Sequence, residues 1–271
     1  RVFGFRRELI PALRPVFSDH GRLRLDVASE LGLKAGIPVT YKAGDQPNNA
    51  LSLNVLEPGE VAATAGTSGV VYAVTDQISY DPRSRVNTFA HVNHHHREGE
   101  NRLGVLLCIN GTGILNRWMR DEWGQGLSYA DINRLAGDIP SGSEGIRVLP
   151  FGNGAERVLE NRTLGALFHG LNFNIHTRAH SFRAAQEGIA FSLKYGLDVM
   201  AATGTQPTVI RAGRANLFLS DVFTQTLVNA TQTPIELYDT DGAKGAALGA
   251  GIGLGVFSEP REAFVNLEKL G

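Results

Sequence analysis

The chain has 271 residues, enough for one large or two ordinary domains and for a substantial core. With 42% hydrophobic and 20% charged residues it is neither a disordered tail nor a disulfide-stapled miniprotein. Its 26 basic and 27 acidic residues leave a net charge of −1, with no electrostatic footprint for sequence-independent nucleic-acid binding. A single cysteine, Cys108, excludes an intrachain disulfide, and no apolar run reaches the length of a membrane span, so a reducing, cytoplasmic setting is expected. Glycine is in excess, at 32 residues, or about 12% against a usual 7%. With no repeat and no low-complexity block, these glycines are expected in turns and close approaches.

Short apolar runs alternate with longer helical patterns, the signature of an α/β chain. The first predicted strand, 37–42, runs into Gly44 and a helix that starts near Pro47, a residue suited to a first helical turn. Asp45 then stands at a strand's carboxyl end, the edge where open α/β sheets bind ligands. Its carboxylate is either a general base toward a hydroxyl or a helix N-cap.

Strands at 61–67 and 70–74 follow, joined by Gly66, Thr67, Ser68 and Gly69. Such a turn either cradles phosphate with backbone amides and a hydroxyl or is a hairpin loop needing positive φ. The polar segment 93–102 reads as a loop. His91 and His94 to His96 have no carboxylate or cysteine at ligand spacing, so an exposed hairpin tip is favoured over a metal site. A strand at 105–107 leads to Cys108, read as core rather than nucleophile.

Next come a helix at 114–123 and a strand at 147–149. The strongest helical pattern covers 176–200, where Ile175, Ala179, Phe182, Ile189, Leu193, Leu197 and Met200 build one apolar face. A strand at 208–211 passes through Gly213 and Asn216 into a helix at 217–229. Asn216 is either an amide for a purine edge or an N-cap. After a strand at 235–238, residues 242–255 are helical but glycine-heavy. Each interior glycine costs about 1 kcal/mol relative to alanine, so a neighbour or ligand must offset it. The GxGxG spacing does not fit the dinucleotide fingerprint, and a Rossmann reading is rejected.

Taken jointly, these segments resemble the second half of the FGGY carbohydrate kinase family. GIPVTYKAGDQPNNALSLNVLEPGEVAATAGTSGVVYAV is similar to that family's strand, GAGDx, helix and GTSGVVFAV stretch. TLGALFHGLNFNIHTRAHSFRAAQEGIAF resembles its second signature, with His180, Ala184 and Glu187 in place and Ser181 and Gln186 where apolar residues are usual. PFGNGAER resembles the segment before it. VIRAGRANLFLSDVF stands where a GGGAKS-type adenosine loop is expected, Ala212 and Arg214 replacing glycines.

The resemblance implies a ribonuclease-H-like, actin-like ATPase fold, of which this α/β chain is the second lobe of a two-lobed sugar kinase. It implies Asp45 as the general base and Gln46 beside the sugar. Gly66 and Thr67 would contact ATP phosphates, Gly113 and Arg117 would line the nucleotide, and Gly213 and Asn216 would flank adenine. ATP is the implied co-substrate and Mg²⁺ the implied cofactor, with no metal ligand assigned to this chain. The implied acceptor is a ketopentose, D-xylulose before gluconate, ribulose, fuculose or rhamnulose, and a homodimer is possible within the family. The family's D-x-G-T-[ST] loop does not occur in the sequence. Residues 1–57 are therefore expected to be the tail of the sugar-binding lobe and 58–271 most of the nucleotide lobe of a longer protein. The competing expectation is a non-catalytic nucleotide-binding or assembly module.

Overall fold

The computed structural model describes residues 4–271. A six-stranded mixed sheet organises them, in the order β3-β4-β2-β1-β7-β8. Its strands are β1 (Glu60–Ala65), β2 (Gly69–Thr75), β3 (Asn87–Ala90), β4 (Leu103–Ile109), β7 (Val209–Gly213) and β8 (Ile235–Tyr238). The intervening β5 (Arg147–Phe151) and β6 (Gly165–His169) form a separate antiparallel hairpin. β2 is antiparallel to both β1 and β4, while β1, β7 and β8 are mutually parallel. β1, β4, β7 and β8 therefore all run the same way, and their carboxyl ends share one edge.

Successive side chains of a strand point to opposite faces, and both faces of β1 are covered. Val61, Ala63 and Ala65 join the main core with Ile189 and Leu193 of the long helix α5 (Arg178–Ala202). Ala62 turns the other way, toward Ala50 and Leu53 at the end of α2 (Asp45–Ser52). The remaining helices are α1 (Leu25–Leu31), α3 (Thr112–Trp118), α4 (Tyr129–Gly137), α6 (Asp221–Thr231) and α7 (Gly242–Leu254). None among the described residues is long and apolar enough to cross a membrane.

Several expectations change. Residues 37–42 form no strand. They make only isolated bridges, Pro38 with Arg22 and Tyr41 with Phe17, because Pro38 lacks an N–H and the segment lies outside the sheet. The helix expected at 217–229 starts at Asp221, after a 3₁₀ turn over Asn216–Leu219. The helix expected at 114–123 is α3 continued by a π-helical turn, Met119–Trp123.

His91 is not at an exposed tip. It is 1% exposed, its Nδ1 accepts from the Tyr72 hydroxyl at 2.9 Å, and its Nε2 donates to the Val55 carbonyl at 2.9 Å. Burial pushes its pKa down to about 4. Cys108 is half-buried on β4 rather than in the core, and burial, aided by Glu156, raises its thiol pKa, so no activated nucleophile results.

The glycine-rich helix α7 forms as expected, and α2 is the neighbour that offsets its cost. Asn48 Nδ2 donates to the Gly242 carbonyl at 2.9 Å, and Thr40 Oγ1 donates to the Ala250 carbonyl at 2.7 Å. The segment that carries Asp45 is thus tied to α7 along its length.

Candidate nucleotide cleft

The site lies at the carboxyl edge of the sheet, where parallel strands deliver their loops. β1 ends there in the turn Gly66–Thr67–Ser68 and returns as β2, so the hairpin reading of this motif holds. Its glycines do not serve positive φ, since neither Gly66 nor Gly69 adopts it. Gly69 serves close contact: a Cβ there would stand 2.6 Å from Thr112 Cγ2.

β4 ends beside this turn and enters α3 through Gly111, at φ 96°. The first helical amides of α3 lack partners within the helix, and the turn supplies them. Gly113 N donates to the Gly66 carbonyl at 2.9 Å and Ile114 N to the Thr67 carbonyl at 3.3 Å. Only glycine fits at 113, because a Cβ would lie 2.1 Å from the Gly66 oxygen. The Ser68 hydroxyl is committed to Asn110 Oδ1 at 3.1 Å. Thr67 is left as the exposed hydroxyl of the turn.

A cavity of about 560 Å³ opens between this turn, α3, α4 and the Asn216–Leu219 turn. It gathers five residues singled out in the sequence: Gly66, Thr67, Gly113, Arg117 and Asn216. Arg117 is exposed there and gives the otherwise neutral lining a cation suited to phosphate. Asn216 is not a helix cap, since Ser220 caps α6. It sits in the left-handed region at φ 54°, and its Nδ2 lies 3.7 Å from where a Cβ of Gly66 would stand.

Gly213, the last residue of β7, is adjacent to this wall but does not line the cavity; it faces the Thr240 carbonyl. Asp45 and Gln46 are also outside it. Asp45 is the first residue of α2, with Gly44 at the cap, so the N-cap reading fails. Its Oδ1 accepts from Gln46 N at 2.8 Å and its Oδ2 from Gln46 Nε2 at 3.3 Å. The carboxylate is exposed at the start of the helix that α7 holds.

Tyr129, Ala130 and Asn133 of α4, together with Leu219, also line the cavity and were not anticipated. Their sequence signal is the capping box of α4, in which Ser128 and Asp131 satisfy each other's backbone amides ahead of Ile132. Among the described residues no group of three or more His, Cys, Asp or Glu side chains is placed to hold a metal ion. Mg²⁺ beside a nucleotide is held largely by phosphates and water with one or two carboxylates, and no Asp or Glu is among the residues that line this cavity.

The sequence profile described as "FGGY family of carbohydrate kinases, C-terminal domain" matches residues 61–256. The chain is 31% identical over 264 residues to the L-xylulose/3-keto-L-gulonate kinase of Escherichia coli, covering 94% of this chain and 50% of that one. It is 27% identical over 203 residues to the gluconokinase of Bacillus subtilis, covering 71% of this chain and 38% of that one. The crystal structure of ligand-bound xylulose kinase from Lactobacillus acidophilus superimposes with a TM-score of 0.87 at 20% identity, over 100% of this chain and 54% of that one. The chain thus spans about half, or less, of the length of these relatives.

Proposed function

The chain belongs to the FGGY family of carbohydrate kinases and has the actin-like, ribonuclease-H-like fold of the C-terminal lobe, and we propose that it supplies the ATP site and the general base of a sugar kinase. The carrying observation is the convergence of Gly66, Thr67, Gly113, Arg117 and Asn216 on one cavity at the carboxyl edge of the sheet. In this reading the Gly66–Thr67 turn and Arg117 meet the phosphates, Asn216 flanks adenine, and Gln46 sits beside the sugar. Residues 1–57 act as the tail of the sugar-binding lobe and 58–271 as the nucleotide lobe.

Asp45 takes the proton from the sugar's terminal hydroxyl. That oxygen attacks the γ-phosphorus in line, the bond from the γ-phosphorus to the β–γ bridging oxygen breaks, and ADP leaves. Positioning and charge neutralisation carry most of such a reaction. Mg²⁺, where bound, supplies neutralisation of phosphate charge. D-Xylulose is the first acceptor proposed and gluconate the second; relatives named xylulose kinase and gluconokinase support xylulose and gluconate as acceptor classes.

A coupled ADP-release assay on the full-length protein, with D-xylulose and D-gluconate in parallel, tests this. Asp45→Asn is expected to lower kcat by about 10²–10⁴-fold, the usual worth of a general base. Unchanged turnover would remove Asp45 from the chemistry. ATP binding by calorimetry without turnover on any sugar would favour a non-catalytic module instead.

A further inference from the structure

One wall of the cavity is held by a polar chain that crosses three elements. Gln186, in the middle of α5, is 0% exposed. A buried amide is costly unless both of its ends are satisfied, and here both are. Its Nε2 donates to Asn133 Oδ1 at 2.9 Å, and its Oε1 accepts from the Ser220 hydroxyl at 2.6 Å.

A backbone carbonyl fixes the direction of the whole chain. Asn133 Nδ2 lies 3.5 Å from the Leu219 oxygen, which can only accept. The Asn133 nitrogen is therefore on that side and its oxygen faces Gln186. Gln186 in turn points its nitrogen at Asn133 and its oxygen at Ser220, the residue that caps α6. Asn133 lines the cavity, and one of its two amide hydrogens has no partner in this chain of bonds. That wall presents a donor.

We propose that Asn133 donates a hydrogen bond to an acceptor atom of the nucleotide's base, and that Gln186 is the positioning residue that holds the donor in place. The inference rests on the cavity being the ATP site. Asn133 selects for an acceptor at that point of the base because the Leu219 carbonyl and Gln186 together prevent its amide from turning over.

Calorimetry on the full-length protein tests this with ATP and, as a probe without a base, tripolyphosphate. Asn133→Ala and Gln186→Met are each expected to raise the Kd for ATP about five- to tenfold, the worth of one hydrogen bond. Affinity for tripolyphosphate should stay unchanged. In the double variant the two effects should not multiply, since Gln186 acts through Asn133. Asn133→Ala, on a half-buried helix face, carries the test if Gln186→Met fails to fold. The proposal is overturned if Asn133→Ala leaves the ATP Kd within twofold, if both ligands weaken equally, or if the two effects multiply. Those results, with wild-type ATP binding intact, overturn this inference alone. Absence of ATP binding by the wild type overturns the nucleotide reading as well.

Discussion

Replacing Gly253 by alanine tests whether α7 is a docking ridge for the Asp45 segment. Gly245, Gly249 and Gly253 recur every four residues, on one face of the helix. A Cβ on each would lie 2.6 Å from Ser52 Cβ, 2.9 Å from the Tyr41 ring and 1.9 Å from the Thr40 carbonyl oxygen, respectively. Ordinary contact begins at 3.4 Å, so the Thr40 backbone must retreat by roughly 1.5 Å to reach normal packing distance. Overpacking of this kind costs about 1–3 kcal/mol. The same shift breaks the Thr40 hydroxyl's bond to the Ala250 carbonyl, a further 0.5–1.5 kcal/mol or about that. Alanine's better helix propensity returns about 1 kcal/mol. The net expectation is a loss of roughly 0.5–3.5 kcal/mol. Gly137, in the last turn of α4, has nothing within 4 Å of its Cβ position and no positive φ, so Gly137→Ala should gain about 0.4–1 kcal/mol. Urea unfolding with matched m-values reads both. A Gly253→Ala midpoint that rises as much as that of Gly137→Ala would refute the ridge.

Two further predictions concern acid. Burial alone would raise the Glu236 carboxyl, but hydrogen bonds from Lys269, Arg211 and Tyr238 outweigh it and hold the pKa at about 2; the Arg85 guanidinium likewise holds Asp81 at about 2. Both native values lie below the unfolded ones, so this stabilisation is complete above about pH 5 and disappears as the pH falls toward 2. Glu236→Gln should flatten the dependence of Tm on pH in that window, and an unchanged slope would contradict the assignment. His91 is a base whose native pKa of about 4 lies below the ordinary 6.5. The unfolded chain therefore binds its proton first, and stability is lost as the pH falls from about 7 to 4. Tyr72→Phe removes the donor to His91 Nδ1 and should cost about 1–3 kcal/mol at neutral pH, with a shallower slope between pH 7 and 4; equal stability at pH 7.5 would show that this bond is not needed.

What the sequence made legible follows from range. The period of α5 and the aliphatic runs of β1, β2, β7 and β8 are local patterns, and each was found within a few residues. The edge strand β3 and the hairpin strand β6 were missed. Their side chains are half-buried or exposed, so neither face carries a continuous apolar signal. The 37–42 segment failed in the opposite direction. Its β-branched residues suit an extended chain, but no neighbouring strand accepts Pro38 in a ladder. In the site, turn residues such as Gly66, Thr67 and Asn216 could be singled out because turn chemistry is local. Asn133 could not, and Gln186 stood out only as a polar residue at an apolar position, because their partnership spans 53 residues and exists only once α4 lies on α5.

Part of the glycine excess has the same cause; fifteen other glycines stand at positive φ. Hairpin chemistry pointed to positive φ around residue 66, and α7 posed an unexplained cost of about 1 kcal/mol per interior glycine. In both places close packing is what requires glycine: Gly69, Gly113, Gly245, Gly249 and Gly253 have no positive φ, yet a Cβ on any of them would stand within 3 Å of a neighbouring segment. Gly113 brings α3 onto the Gly66 carbonyl and so fixes the turn that faces the cavity. Gly245, Gly249 and Gly253 bring α7 onto the segment whose first helical residue is Asp45. A side chain at Gly113 or Gly253 would push apart two backbones, and one at Gly69, Gly245 or Gly249 would collide with Thr112, Ser52 or the Tyr41 ring. Composition registers such positions only as a count, because the partner that requires each glycine lies elsewhere in the chain.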